Sequence, residues 1–202
     1  FDENYYRTFS NWTDKRYGWR FSPDALQLSS GVIPALFNLI DQICEKGDKV
    51  LTFTPAYGYF KHAADHHHNE LISCSLDCVD GEYFIDFDDL RIKTADPKSK
   101  LFFLCHPHNP TGRIWTDEEL RLIGEICIAN EVVIVSDEIH CDLLRPNKTH
   151  TPLAKLFPDS DQIITGMAPS KTFNLAGLMI ANIIIPNPEL RAMWQKRTQP
   201  FV

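Results

Sequence analysis

Apolar runs of strand length alternate with helix-like segments along most of this chain, and that alternation restricts the fold more than any other feature. The strand-like runs cover 26–30, 49–53, 70–76, 100–105, 132–136, 162–167 and 180–185. Residues 132–136 read Val-Val-Ile-Val-Ser, apolar on both alternating faces, as expected of a central parallel strand covered by helices on each side. Between the fourth and fifth runs, Thr116-Asp-Glu-Glu119 has the grammar of a capping box and predicts a helix over 117–130. Leu120, Ile123, Ile126 and Cys127 give that helix one apolar face. A second helix is predicted over 34–46, ending at Gly47, a residue suited to the left-handed position after a helix. Strand–helix–strand alternation of this kind implies one doubly wound α/β domain over 1–202, with a mostly parallel seven-stranded sheet and helices on both faces.

Composition removes several function classes. Of 202 residues, 44% are hydrophobic and 23% charged, which excludes disorder and collagen. The formal net charge of −7, with no run of Lys or Arg, argues against a nucleic-acid or anionic-membrane surface. No stretch approaches the roughly 20 apolar residues that span a bilayer, and Phe1-Asp-Glu-Asn4 lacks the grammar of a signal peptide. A soluble, cytoplasmic protein is expected. The six cysteines, Cys44, Cys74, Cys78, Cys105, Cys127 and Cys141, form no C-x-x-C pair and read as buried thiols, with Cys74 and Cys78 on one face of a strand.

In doubly wound sheets, ligands sit beyond the carboxyl ends of the strands, so the residues after each run carry the chemistry. After the first comes Ser30-Gly31-Val32-Ile33-Pro34, a turn into a helix that either simply starts it or aims free amides at a phosphate. After the fourth comes His106-Pro-His108-Asn109-Pro110-Thr111-Gly112, a structural turn or a ligand loop on composition alone. After the fifth, Asp137 ends an apolar strand, where it either caps a helix or awaits a cation, since burying an unpaired charge is costly. After the sixth, Lys171 stands among small and apolar residues, and alone it would be a surface charge. Converging on one edge, these groups suit a cofactor with an aldehyde, a ring nitrogen and a phosphate, the three handles of pyridoxal 5′-phosphate (PLP).

Five ordered motifs carry a resemblance over essentially the whole chain: Gly31-Val-Ile-Pro-Ala-Leu36, Thr54-Pro-Ala-Tyr57, Asn109-Pro-Thr-Gly112, Ser136-Asp-Glu-Ile-His140 and Ser170-Lys-Thr-Phe-Asn174. Through them the sequence resembles the class I/II aminotransferase family of fold-type I PLP enzymes, and within it the cystathionine β-lyase-like C–S lyases. The resemblance implies that Lys171 condenses with the cofactor aldehyde and later moves a proton, and that Asp137 pairs with the pyridinium nitrogen. It places Asn109 and His140 near the ring's phenolic oxygen, His140 standing where many aminotransferases have tyrosine. Tyr57 would stack on the ring, while the Val32 and Ile33 amides beyond Gly31, with the Ser170 hydroxyl, would hold the phosphate.

Two positions depart from the family pattern: Ala168 replaces a frequent serine and Met179 a frequent arginine, so phosphate charge is less fully neutralised. Both changes fit the lyase branch. The resemblance further implies a homodimer, and a large cofactor-binding domain whose C-terminal small domain and site-closing N-terminal segment lie outside the chain. The chain by itself is therefore expected to be inactive and to hold PLP weakly. The expected reaction is β-elimination from a sulfur amino acid such as cystathionine, giving a thiol, pyruvate and ammonia. The competing readings are a PLP-dependent aminotransferase, a non-catalytic scaffold, and a nicotinamide-binding Rossmann domain, the last disfavoured because Ser29-Ser-Gly-Val-Ile-Pro34 lacks G-x-G-x-x-G. His62, His66, His67 and His68 read as a solvated helix end and not a metal site. Tyr5, Tyr6, Phe9, Trp12 and Trp19 read as packing residues or a dimer contact.

Overall fold

A computed structural model describes residues 2–198 of the chain. The strands are β1 (Leu26–Ser29), β2 (Lys49–Thr54), β3 (Glu70–Val79), β4 (Glu82–Ile85), β5 (Ser99–Cys105), β6 (Val133–Asp137), β7 (Ile163–Met167) and β8 (Ala181–Ile184). The helices are α1 (Glu3–Tyr17), α2 (Val32–Ile43), α3 (Gly58–His66), α4 (Phe87–Thr94), α5 (Asp117–Ala129), α6 (Leu153–Leu156), α7 (Pro169–Thr172) and α8 (Pro188–Thr198).

All strands join one sheet in the order β1-β8-β7-β6-β5-β2-β3-β4. Pairing is parallel from β3 through β2, β5 and β6 to β7, while β8 runs antiparallel to both β7 and β1. It follows that β1, β2, β5, β6 and β7 all point the same way and release their carboxyl ends at one edge. The alternation of side chains across each strand divides the core in two. Leu101, Phe103, Cys105 and Val135 face a layer built from α2, α3 and α8, including Leu39, Phe60 and Trp194. Phe102, Leu104 and Ile134 face the other layer, with Leu90 of α4 and Leu120, Ile123 and Cys127 of α5. Helices thus cover both faces, as the doubly apolar run at 132–136 requires.

The structure corrects several sequence expectations. The sheet has eight strands and not seven, because β4 forms a hairpin with Leu76–Val79 of β3. Its turn is Asp80-Gly81, with both φ angles positive at 52° and 83°, the backbone of a two-residue hairpin turn. Cys78 lies in that hairpin and is exposed, whereas Cys74 is buried. The helix predicted over 34–46 ends at Ile43, with Cys44 as its cap donating to Ile40 O. Gly47 does take a positive φ of 89°, but in the Glu45–Asp48 turn that follows, where Asp48 Oδ2 accepts the Glu45 amide. The capping box forms: Thr116 Oγ1 accepts the Glu119 amide at 3.2 Å and Glu119 Oε2 accepts the Thr116 amide at 2.8 Å.

The N-terminal aromatics belong to α1, closed by Gly18 at φ 60° donating to Asp14 O. Tyr17 and Trp19 are buried against Leu26, Met167 and Ile184, with Tyr5, Tyr6 and Phe9 packed on them. His62, His66 and His68 are exposed, but His67 is half-buried with Nδ1 at 3.4 Å from Asp41 Oδ1.

Just past β6, Glu138 is fully buried and ties the strand end to the loop ahead of α6. It accepts from Ser136 Oγ at 2.9 Å and from the Leu153 amide at 3.0 Å, and pairs with His150 Nε2 at 2.7 Å. Replacing it orphans those buried partners. Glu138→Ala is expected to cost about 3 kcal/mol, read as a lower urea midpoint with an unchanged slope.

Candidate active site

The shared direction of β1, β2, β5, β6 and β7 brings their outgoing turns to one cavity of about 390 Å³. Gly31, Val32, Ile33, Tyr57, Asn109, Asp137, His140, Ser170 and Lys171 all line it. The cavity therefore unites every site residue expected from the sequence.

Its anion-facing wall is the start of α2. Gly31 is the residue before the helix, in extended backbone, and no side chain caps it. The first-turn amides of Val32 and Ile33 have no carbonyl within the helix to bond, and Pro34 brings no N–H. A Cβ on Gly31 would stand 3.3 Å from Pro34 Cδ, tighter than most carbon contacts, so glycine suits the entry. A Cβ on Gly166 of β7 would stand 3.3 Å from Val32 Cγ1, and its absence lets the helix start settle onto the strand.

The floor is Asp137, at the end of β6 and 5% exposed. Its Oδ1 accepts the Ile139 amide at 3.2 Å. Burial pushes the carboxyl up to about 7, helped by the Glu138 charge and opposed by the Ile139 N–H and the Lys171 ammonium. Lys171 lines the same cavity from α7, a single turn, and is exposed. His140 is half-buried, and burial with the Lys171 charge holds its imidazole below the usual value, hence neutral at pH 7. Burial, with the Tyr59 and Asp137 charges, raises the Tyr57 phenol, which therefore stays protonated.

The third wall is the turn after β5. Cys105, beside Asp137 in the ladder, donates its thiol to Pro107 O and accepts the Asn109 amide, each at 3.3 Å. Burial raises that thiol, so it serves as a neutral clasp. His108 is buried and pushed down to about 4 by desolvation and the Arg113 charge, and its Nδ1 pairs with Thr111 Oγ1 at 2.8 Å. The Gly112 amide closes the turn on His108 O at 2.7 Å. Together these bonds present Asn109 to the cavity. Cys105, read from the sequence only as a buried thiol, also lines it, as do Ile139 and Ala176, whose apolar side chains carry no chemical signature. Met179 stands in the wall with φ 49°, and among the described residues no arginine lines the cavity.

The arrangement offers a buried acid, an amine, a flat aromatic ring and an uncapped helix start around one cavity. Comparison with known proteins finds relatives over most of the chain. The chain is 42% identical over 189 residues to cystathionine beta-lyase PatB of Bacillus subtilis, covering 93% of this chain and 49% of that protein. It is 28% identical to protein MalY of Escherichia coli, covering 94% and 48%. Among solved structures, the PLP-bound C–S lyase of Staphylococcus hominis superposes with a TM-score of 0.96 at 47% identity, covering 98% of this chain and 51% of that one. Cystalysin of Treponema denticola, which contains PLP, gives 0.95 at 38% identity, covering 98% and 51%. The chain spans about half the length of these relatives. The family model described as aminotransferase class I and II matches residues 4–202, and the chain belongs to that family.

Proposed function

We propose that this chain is the cofactor-binding large domain of a PLP-dependent C–S β-lyase acting on cystathionine or another S-substituted cysteine. The observation that carries the reading is the burial of Asp137 in the same cavity as Lys171. The residues present fit PLP on physical grounds. A carboxylate whose burial raises its pKa regains its charge when a protonated ring nitrogen faces it. The uncapped amides of Val32 and Ile33, with the Ser170 hydroxyl, suit a phosphate. The cavity volume of about 390 Å³ is in the range of small-cofactor sites.

When bound, PLP supplies an electron sink for the α-carbon of an amino acid. The chain's own residues do the rest. Asp137 would hold a proton on the ring nitrogen and so strengthen that sink. Tyr57 would give the ring a face to stack on, while Asn109 and His140 would bind its phenolic oxygen. Lys171 would hold the aldehyde end of the cofactor, and its amine would accept the substrate's α-proton. With a sulfur substituent on the β-carbon, the electron pair left by that proton would form the Cα–Cβ double bond and expel the sulfur as a thiolate, which takes up a proton. Water would complete the conversion of the remainder to pyruvate and ammonia. His140 and Met179, at positions where many aminotransferases carry tyrosine and arginine, support the lyase reading over transamination. The similarity to enzymes of sulfur amino acids supports the substrate class, and the family's habit of pairing subunits supports a homodimer. No helix among the described residues is long and apolar enough to cross a membrane, which accords with a cytoplasmic enzyme.

The full-length protein supplied with PLP is expected to show a visible absorption band and to release pyruvate from cystathionine. Lys171→Ala is expected to abolish the band and to lower the rate at least about 100-fold. Amino-group exchange with a keto acid, without pyruvate, would assign a transaminase instead.

Asp137 also sets a pH dependence. Its raised value means that the cofactor-free fold keeps a proton, between about pH 4 and 7, that the unfolded chain has released. Stability therefore falls as pH rises through that window, by at most about 4 kcal/mol. Asp137→Asn is expected to flatten this slope and stabilise the cofactor-free protein at pH 8, while weakening PLP binding at least about tenfold. Thermal melts at pH 5 and 8, with and without PLP, check both signs.

A further inference from the structure

A buried carboxylate next to the site, Asp142, has no part in the proposed chemistry. Asp142 lies two residues beyond His140, and its side chain is 6% exposed. Its Oδ1 accepts the Tyr17 hydroxyl at 2.6 Å and stands 2.8 Å from Arg16 Nε, both in the last turn of α1. Its Oδ2 accepts the Thr172 hydroxyl at 2.8 Å. Thr172 directly follows Lys171.

The turn that carries Lys171 has little else to hold it. α7 is four residues long and has no side-chain cap. Its backbone closes on itself, Phe173 N–H donating to Pro169 O and Leu175 N–H to Ser170 O. The segment beyond it is open, with Phe173 51% and Leu178 65% exposed. The Trp12 and Phe173 rings touch edge-on at 5.4 Å, yet α1 and the turn leave between them an apolar cavity of about 370 Å³, lined in part by Phe9, Trp12, Thr172 and Phe173. Among the described residues, the Thr172–Asp142 bond is the side-chain hydrogen bond that ties this turn to the rest of the domain. A charge-assisted bond out of bulk water is the kind that fixes geometry.

We propose that Asp142 is a positioning residue: by gripping Thr172 with one oxygen and the end of α1 with the other, it aims the Lys171 amine at the cavity floor. The N-terminal helix thereby acts as a brace for the lysine turn. This inference rests on the cofactor role of Lys171 given under Proposed function. Asp142 touches neither substrate nor cofactor, so its removal loosens an orientation without deleting a reacting group. Errors of that kind lower the rate of the chemical step more than they weaken binding.

The test, made in the full-length protein, uses Thr172→Val, which deletes the donor while keeping the shape, with Thr172→Ser to restore it and Asp142→Asn to remove the acceptor charge. In the cofactor-free protein, Thr172→Val is expected to speed amide hydrogen exchange over 171–175 about fivefold. With PLP and cystathionine, kcat is expected to fall about tenfold with KM within about twofold, the visible band to shift, and Thr172→Ser to recover both. Wild-type exchange in Thr172→Val, or faster exchange with unchanged kcat and spectrum, overturns the proposal. If Asp142→Asn fails to fold, Thr172→Val decides alone. A wild-type protein that gains no visible band with PLP overturns the cofactor role, and with it this one, while the exchange data still report separately whether the tether exists.

Discussion

A carboxylate buried at the end of a parallel strand is the constraint around which this domain is organised. Asp137 is 5% exposed and accepts a hydrogen bond from the Ile139 amide, and burial raises its pKa to about 7. Such a group weakens the fold at neutral pH unless a cation faces it. Surrounding elements converge on that need. Five strands running the same way deliver their outgoing turns to the one edge where Asp137 lies, and the crossover helices that parallel strands demand place the start of α2 there as well. The site is in this sense a consequence of strand direction.

Much of this was legible in the sequence, and the reasons are particular. The run at 132–136 is apolar in both registers, so it had to lie between two helical layers, and the two core clusters on either side of Ile134 and Val135 are those layers. The capping box at Thr116 announced α5 because a short-range hydrogen-bond pair defines it. The strand-end residues were legible because Asp, Lys and Asn in apolar settings are chemically conspicuous. β4 was not: it has four residues with alternate partial exposure and no apolar run. Its signal was the Asp80-Gly81 turn, which favours the φ values found there. The end of α2 was misjudged because Gly47 does adopt a left-handed backbone, but in a separate turn stabilised by Asp48. α1 escaped because its aromatic residues answer to tertiary contacts with β1, β7 and β8, which no local pattern encodes.

The residues hardest to foresee are those that hold others. Cys105 clasps the Asn109 turn through a thiol that burial keeps protonated, and His108 stays neutral within the same loop. Glu138 anchors the far side of the Asp137 strand end, and Asp142 joins α1 to the turn after β7. Acidic side chains at 137, 138 and 142 thus divide the work: one faces the cavity, one locks the loop behind it, and one reaches across to the lysine turn. Sequence spacing alone gives no means of separating those roles, because each depends on which side of the backbone the carboxylate leaves. Local rigidity of this kind is what a site needs if its reacting groups are to be held in place before substrate arrives.

The central claim is that Asp137 is a buried acid made to be ionised by a bound cation. Carbon-13 NMR of the aspartate side chains, assigned with Asp137→Asn, measures this directly as pH is varied. The account predicts a midpoint near 7 for Asp137 in the cofactor-free protein, and a carboxylate ionised throughout the neutral range once PLP is added. A midpoint near the ordinary aspartate value of about 3.9, unmoved by PLP, would contradict it.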